Sequence, residues 1–271
     1  MPVDRTAEDL LAAVLASPRA VAAHDKTAWV GLFAEQAAVH DPYGSRAHIG
    51  PEAISRFYNV FIAPNTIAFR VERDIVAGHT VVRDLHIETT MSTGATVVVP
   101  MHLRYDLVAT DGGWRITRLA AHWELGVMVG RLLRTGPAGV LAGVKLGPQL
   151  ISELGFGGAL GMMRALRGVG AAGKRAVEEL FAATARGDAV AVRTLLGTQA
   201  EVELPAGHAL GLEEFADRAR GMEWSKLIAA GRTVSASVRV GGAAGVAFVD
   251  FAADANRIIA VTVFLDGSLE S

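Results

Sequence analysis

An aspartate at the end of a short apolar run is the residue of this sequence best suited to chemistry. Asp41 follows the run 37–40 and precedes Pro42, with no lysine close in sequence to hold it in an ion pair. A carboxylate in apolar surroundings can accept a proton from carbon, because burial raises its pKa toward neutrality. The alternative is structural, since Asp-Pro followed by glycine is ordinary turn chemistry in which the aspartate caps its own loop.

The composition limits what other chemistry the chain can use. Its 271 residues suit two domains, its net charge of -2 offers no basic surface for nucleic acid, and it has no cysteine for a disulfide or a thiol nucleophile. Because no phosphate loop, dinucleotide fingerprint or metal-ligand spacing occurs, we expect neither a cofactor nor a metal. The N-terminus lacks the basic start and long apolar core of a secretory signal, which predicts a cytoplasmic location.

The hydrophobic periodicity changes from helical to alternating near residue 66. Ser17 is predicted to cap a helix that begins at Pro18, and further helices are predicted over 27–34 and from Gly50-Pro51 onward. Strands are predicted over 67–77, 80–91, 96–109 and 114–125. Helices followed by a meander of strands indicate an α+β domain.

The sequence around Asp41 resembles a known family. The segment Ala22-Ala23-His24-Asp25, the apolar residues of 30–39 and the run 49–58 are similar to the ketosteroid-isomerase and SnoaL-like branch of the nuclear transport factor 2-like (NTF2-like) superfamily. The resemblance implies a cone-shaped domain, in which a curved antiparallel sheet wraps around N-terminal helices and leaves a ligand pocket. It also places Asp41 on the aspartate that abstracts protons in that family.

The positions of the family's oxyanion donors are also implied by this resemblance, and here the chain departs from the pattern. The donor tyrosine of the first helix falls on Ser17. The acidic donor falls on Met101 if Met101, Leu103 and Tyr105 share the inward face of their strand, whereas a gapless count gives His102. We expect Met101, which leaves both usual donors absent.

Tyr58 falls on a tyrosine that supports the donor network in the family. It is therefore predicted as a catalytic residue beside Asp41. The alternative is an aromatic ring packed in the apolar stripe of its helix, with the hydroxyl satisfied by backbone.

The resemblance predicts an apolar cavity with mainly aromatic and aliphatic walls. The expected ligand-binding residues are Ser17, Phe33, Phe57, Met101, Leu103 and Trp123. Simple core packing is the alternative for each of them and the favoured one for Phe33. Asp84, His86 and Glu88 alternate on one face of their strand, which indicates either a solvated or dimer-facing side, the favoured alternative, or a metal or acid–base cluster, for which His86 remains a minor candidate. His102 and His122 are predicted to point away from the cavity.

An internal repeat accounts for the length of the chain. Asp25 and Gly44 match Asp188 and Gly207, each 163 residues later. The counterpart of the proposed base is Leu204, which cannot accept a proton. The second copy is therefore predicted to lack catalysis and to serve in packing, dimerisation or ligand binding.

Three segments follow from the repeat. The first domain is predicted over 1–125, an apolar glycine-rich connection over 126–170, and a second, degenerate NTF2-like domain over 171–271, whose sheet lacks one strand of the first. The connection is too apolar for a solvated linker. Its alternatives are short helices packed between the domains, a lid over the first cavity, or a segment that lies on an anionic membrane.

Two functions compete at this point. The first is an isomerase or cyclase in which Asp41 moves a proton on an apolar carbonyl compound, such as a steroid or a polyketide. The second is a non-catalytic protein that binds an apolar ligand and contacts a membrane peripherally through 126–170. In both cases the expected partners are a small apolar ligand and a second copy of the chain as a homodimer, without nucleic acid.

Overall fold

The computed structural model describes residues 5–134, 168–197, 199–254 and 257–267. The chain divides into two compact units, one built mainly from the residues before 135 and one mainly from those after 167. Most of the predicted connection, residues 135–167, lies outside the described residues.

The first unit contains four helices and six strands among its described residues. The helices are α1 (Arg5–Ala22), α2 (Lys26–Val30), α3 (Gly50–Phe57) and α4 (Leu125–Arg134), and a π-helical turn, Tyr58–Ile62, extends α3. The strands are β1 (Phe33–His40), β2 (His48–Ile49), β3 (Thr66–Ala77), β4 (Thr80–Thr90), β5 (Thr96–Thr110) and β6 (Gly113–His122).

The six strands form one sheet in the order β2-β1-β6-β5-β4-β3. β1 lies parallel to β6, whereas β4, β5 and β6 form an antiparallel meander. Along β5 the apolar side chains alternate, so that Val97, Val99, Met101, Leu103 and Tyr105 are all buried on one face. This alternation supplies one wall of the interior.

Helix α1 differs from the prediction at Ser17. The helix is continuous from Arg5 to Ala22 with Pro18 inside it, so Ser17 is not a helix cap. Proline removes only the hydrogen bond of its own nitrogen, and the rest of the turn can persist when its apolar face is buried. Leu10, Val14 and Val21 provide that buried face.

The ends of two predicted elements were wrong. The second helix stops at Val30 and β1 already begins at Phe33, because Phe33 packs with its ring centroid 4.8 Å from that of Trp29. The last strand stops at His122, and Leu125 begins α4 instead of ending the strand.

The second unit repeats the architecture of the first. Its helices are α5 (Gly170–Ala185), α6 (Ala189–Leu196) and α7 (Leu212–Arg218). Its strands are β7 (Glu201–Glu203), β8 (Glu223–Ala230), β9 (Thr233–Val240), β10 (Ala243–Phe251) and β11 (Ile258–Leu265). The order β7-β11-β10-β9-β8, with β7 parallel to β11, corresponds to β1-β6-β5-β4-β3.

Equivalent residues have the same structural roles in the two units. Asp25 caps α2 by accepting from the Ala28 nitrogen, and Asp188 caps α6 by accepting from the Ala191 nitrogen. Gly44 and Gly207 both adopt positive φ, 91° and 89°, a region that glycine occupies without a steric penalty. The tandem repeat read from the sequence is therefore also visible in the fold.

The second sheet has five strands and the first has six, so it does lack one strand of the first, although the strand that the sequence pattern did not reveal is present. β8 supplies that strand, and it escaped recognition because its register shifts between Ser225 and Ile228, with Lys226 at a φ of 48°. A bulge of this kind breaks the alternation of period two on which strand prediction depends. The strand without a full counterpart is the two-residue β2, in whose place Glu203 and Ala209 form an isolated bridge.

The predicted fold class is confirmed, since each unit is α+β with its helices packed on one sheet. No helix in the described part of the chain is long and apolar enough to cross a membrane.

Candidate active site

The first unit encloses a cavity of about 460 Å³ between its helices and its sheet. Side chains from α1, α2, α3, the π-helical turn, the strands β3 to β6 and α4 form its walls. Most of them are apolar. Of the residues predicted from the sequence, the following line it: Ser17, Asp41, Phe57, Met101, Leu103 and Trp123.

Asp41 and Trp123 meet because the two strands that precede them run in the same direction. His40, the last residue of β1, pairs with Ala120 of the parallel strand β6. Both strands therefore end on the same side of the sheet. The indole Nε1 of Trp123 donates a hydrogen bond of 2.6 Å to Oδ1 of Asp41. This bond fixes the carboxylate and leaves Oδ2 for another partner.

The surroundings of Asp41 shift its ionisation toward neutral pH. Burial of the carboxyl raises its pKa to about 6, and the hydrogen bond from Trp123 opposes that rise only in part. The side chain is partly exposed, and Asp41 contributes to the cavity lining. An ionised, weakly solvated carboxylate at pH 7 is well suited to accept a proton.

A second polar group in the lining is a pair of hydroxyls. The Oγ of Ser17 accepts a hydrogen bond of 3.0 Å from Nε1 of Trp29, and the hydroxyl of Tyr105 lies nearby. Arg83 lies near the same Tyr105 hydroxyl and is held by Asp74, with 2.7 Å between Nε and Oδ1. Ser17, Trp29 and Tyr105 all line the cavity.

Sequence reasoning missed Tyr105 as a polar residue because it treated the ring only as an apolar neighbour of Met101. A signal was available, since a buried tyrosine nearly always needs a partner for its hydroxyl. Nothing in the local sequence pointed to Trp29 or Arg83, which reach the pair from other elements.

Two predicted site residues lie outside the cavity lining. Phe33 packs edge-on against Trp29, which separates it from the interior space. Tyr58 is buried with its ring 5.6 Å from Trp29, and its hydroxyl has no hydrogen-bond partner within the described ranges. Because Tyr58 belongs to the π-helical turn, its neighbours Phe57 and Val60 face the cavity in its place.

Three histidines among the polar residues singled out from the sequence have partners on other elements of the first unit. Nε2 of His102 lies 3.4 Å from Oδ1 of Asp84, and Nδ1 of His86 lies 2.8 Å from Oε1 of Glu72. The ring of His122 stacks on Tyr43 with centroids 4.4 Å apart. No three carboxylate or imidazole side chains gather as a metal site in the portion of the chain that the structure describes.

Helix α4 forms part of the cavity wall. Leu125, Met128 and Val129 contribute to the lining, and Leu132 packs against β5 residues in a small apolar cluster. The side chain of Arg131 donates to the carbonyl of Val98. The first residues of the predicted connection therefore form part of the cavity wall.

The comparison with known families agrees with this architecture. A family model described as the SnoaL-like domain matches residues 14–125. Residues 14–125 form a SnoaL-like domain. The family predicted from the sequence is thus confirmed for the first unit of the chain.

Several solved structures are similar to part of this chain. A Δ5-3-ketosteroid isomerase from Mycobacterium sp. shares 27% identity over 44% of this chain and 95% of its own, with a TM-score of 0.40. A Mycobacterium tuberculosis protein in complex with estradiol-17beta-hemisuccinate shares 25% identity over 44% and 95%, also with a TM-score of 0.40. A putative polyketide cyclase from Xanthomonas campestris shares 20% identity over 46% of this chain and 97% of its own, again with a TM-score of 0.40. No curated protein matches the chain.

Proposed function

We propose that the SnoaL-like domain is a proton-transfer enzyme in which Asp41 removes a proton next to a carbonyl group. The observation that carries this proposal is the position of Asp41 in the lining of an apolar cavity, held by Trp123, where burial raises its pKa to about 6. A base whose pKa lies near the working pH combines full ionisation with good proton affinity. A turn aspartate that only capped its own loop would lie in solvent and keep an ordinary pKa.

The shape of the cavity points to an elongated apolar substrate. Its lining on β5 runs from Val97 to Tyr105, a stretch of roughly 26 Å at 3.3 Å per residue. Ser17, Asp41 and Tyr105 contribute polar groups to the lining, as do Asn65, Thr89, Ser92 and Thr93, whereas aliphatic and aromatic side chains form most of the remaining wall. A fused-ring carbonyl compound, such as a steroid or an aromatic polyketide, suits this distribution.

The proposal is tested with trans-2-decalone, an apolar bicyclic ketone, incubated with the full chain in D₂O. Loss of the α-proton signals in the NMR spectrum measures proton transfer without knowledge of the natural substrate. We expect exchange faster than in buffer alone, and a fall to the buffer rate for Asp41→Asn, which keeps the shape of the side chain but cannot act as a base. Equal rates for the wild type and Asp41→Asn would contradict the assignment of the base.

A second candidate function is binding of an apolar ligand without turnover. It is favoured by Met101, which occupies the inward position where the ketosteroid-isomerase pattern has an acidic donor. Here the expected result is ketone binding that is unchanged by Asp41→Asn but lost in Leu103→Trp, which fills the cavity. Titration of both variants by tryptophan fluorescence, together with the exchange rates, separates the two functions.

A further inference from the structure

A threonine in the turn between β4 and β5 contributes to the cavity lining. This residue is Thr93, and the turn that carries it is closed by two backbone hydrogen bonds. The Met91 nitrogen donates to the carbonyl of Ala95 at 2.9 Å, and the Gly94 nitrogen donates to the carbonyl of Met91 at 2.8 Å. The turn therefore fixes the backbone of Thr93 at one end of the cavity.

The hydroxyl of Thr93 lacks the partner that a buried hydroxyl needs. Although the residue is partly exposed, its Oγ1 is inaccessible to solvent and makes no hydrogen bond to any residue that the structure describes. A polar atom removed from water without a partner costs free energy, and a partner supplied inside the cavity recovers it. The turn end of the cavity therefore favours a ligand that carries an oxygen.

Asn65 approaches the same turn from the neighbouring strand β3. The ion pair of Arg70 with Glu88 sets the register of the hairpin that β3 and β4 form. Asn65 comes five residues before Arg70, and Thr93 comes five residues after Glu88, so the two side chains lie at the same level. The amide nitrogen of Asn65 donates a bond of 2.8 Å to the carbonyl of Phe61, and its amide oxygen is a further acceptor in the lining.

Thr93 and the proposed base lie toward opposite ends of the cavity. Trp123, the partner of Asp41, comes directly after β6 and is level with Met101 on β5. The turn of Thr93 closes at Ala95, six residues before Met101, which is roughly 20 Å along the strand at 3.3 Å per residue. Side chains project into this span from both ends. A ligand that contacts both must be elongated and must carry an oxygen at each end.

We propose that Thr93 is a specificity-determining residue that binds an oxygen at the far end of the substrate, with Asn65 as a second acceptor beside it. The substrate class is then an elongated, apolar, fused-ring ketone with a hydroxyl group at the end opposite the carbonyl. A hydroxyl suits the two residues because it can accept from Thr93 while it donates to Asn65. The inference rests on the proposed function, since it takes the cavity as the substrate site.

Two saturated steroid ketones that differ only at the far end test this assignment: 5α-androstan-3-one and 17β-hydroxy-5α-androstan-3-one. Quenching of tryptophan fluorescence in the full chain gives the Kd of each, and the ratio of the two values measures the preference for the hydroxyl group. Thr93→Val keeps the shape of the side chain and should lower that preference by roughly 3- to 10-fold, the equivalent of one neutral hydrogen bond. Thr93→Ser keeps the hydroxyl and should retain the preference. Comparing the ratios between variants cancels the cost of taking the steroid hydroxyl out of water.

Thr90→Val is the matched control. Thr90 precedes the same turn but lies outside the lining, with its Oγ1 2.9 Å from that of Thr96, so its replacement should leave the ratio unchanged. Asp41→Asn should also leave the ratio unchanged while it loses α-proton exchange.

The outcomes separate this inference from the proposed function. A ratio that falls in Thr93→Val, without any catalysed exchange in the wild type, supports the role of Thr93 and removes the enzyme. The same ratio in the wild type and Thr93→Val, or no binding of either steroid, overturns the role of Thr93. Exchange of trans-2-decalone, which is too short to contact both ends, tests the base independently of this result.

Discussion

Replacing Asp41 by asparagine should make the protein more stable at neutral pH, although the same change removes the proposed base. In the folded chain the pKa of Asp41 is about 6, against an ordinary value of 3.8. The folded state therefore binds the proton more tightly than the unfolded state does. Below pH 3.8 the carboxyl is protonated in both states and costs nothing, and its cost develops as the pH rises from 3.8 through 6.

The size of this cost follows from the shift in pKa. A difference of about 2 pKa units at 1.36 kcal/mol each corresponds to about 3 kcal/mol above pH 6, an upper value because the carboxylate is partly exposed. Asparagine resembles the neutral acid and avoids the cost. Asp41→Asn should thus raise the free energy of unfolding by up to about 3 kcal/mol at pH 7.5, and the difference should disappear near pH 4.

Urea unfolding of the full chain, followed by tryptophan fluorescence at pH 4, 5, 6 and 7.5, measures the effect. Asp111→Asn in the exposed turn between β5 and β6 is the matched control, since it removes a solvated carboxylate and should change little at any pH. A variant Asp41→Asn that is less stable than the wild type at pH 7.5, or a difference that does not vary with pH, would refute the reasoning.

Three further expectations concern the site and the repeat. Trp123→Phe removes the hydrogen bond that lowers the pKa of Asp41. The pH–rate profile of exchange should therefore move upward by roughly 1 to 2 pH units, which corresponds to the loss of one charge-assisted hydrogen bond. A profile that does not move would contradict the geometry. Leu103→Trp should abolish ketone binding and shift the free energy of unfolding by about 1–3 kcal/mol at most if the ring enters the cavity, as calorimetry and thermal unfolding would show. Asp188→Ala and Asp25→Ala should each lower the free energy of unfolding by about 1 kcal/mol, because each removes a helix cap. Asp188→Ala should leave the rate of exchange unchanged, whereas Asp25→Ala should change it.

Much of the fold could be predicted because the pattern of apolar residues is regular where the strands are regular. The meander from β3 to β6 follows the alternation closely, and glycines mark its turns. The errors lie where another contact outweighs the local pattern. Ser17 and Pro18 have the appearance of a helix start, yet burial of the rest of α1 carries the helix through them.

The candidate site was only partly predictable, for a physical reason. Asp41 and Trp123 each fall on recognisable positions because they follow strands whose ends the sequence marks. The hydroxyl pair depends on α1, α2, β4 and β5 converging, and no spacing along the chain reveals that convergence. Tyr58 shows the reverse case, since a helix that continues into a π-helical turn rotates its side chain away from the cavity.

The two copies differ in how they fill their interiors. At the position corresponding to Asp41 the second unit has Leu204, which is fully buried in a continuous apolar core. The first unit instead keeps an open space of about 460 Å³ at its centre. A ligand bound in that space stabilises the folded state by mass action. It adds about 2.7 kcal/mol to the free energy of unfolding when its concentration is a hundred times its Kd. The second copy thus fills its own interior, whereas the stability of the first copy should rise with the concentration of its ligand.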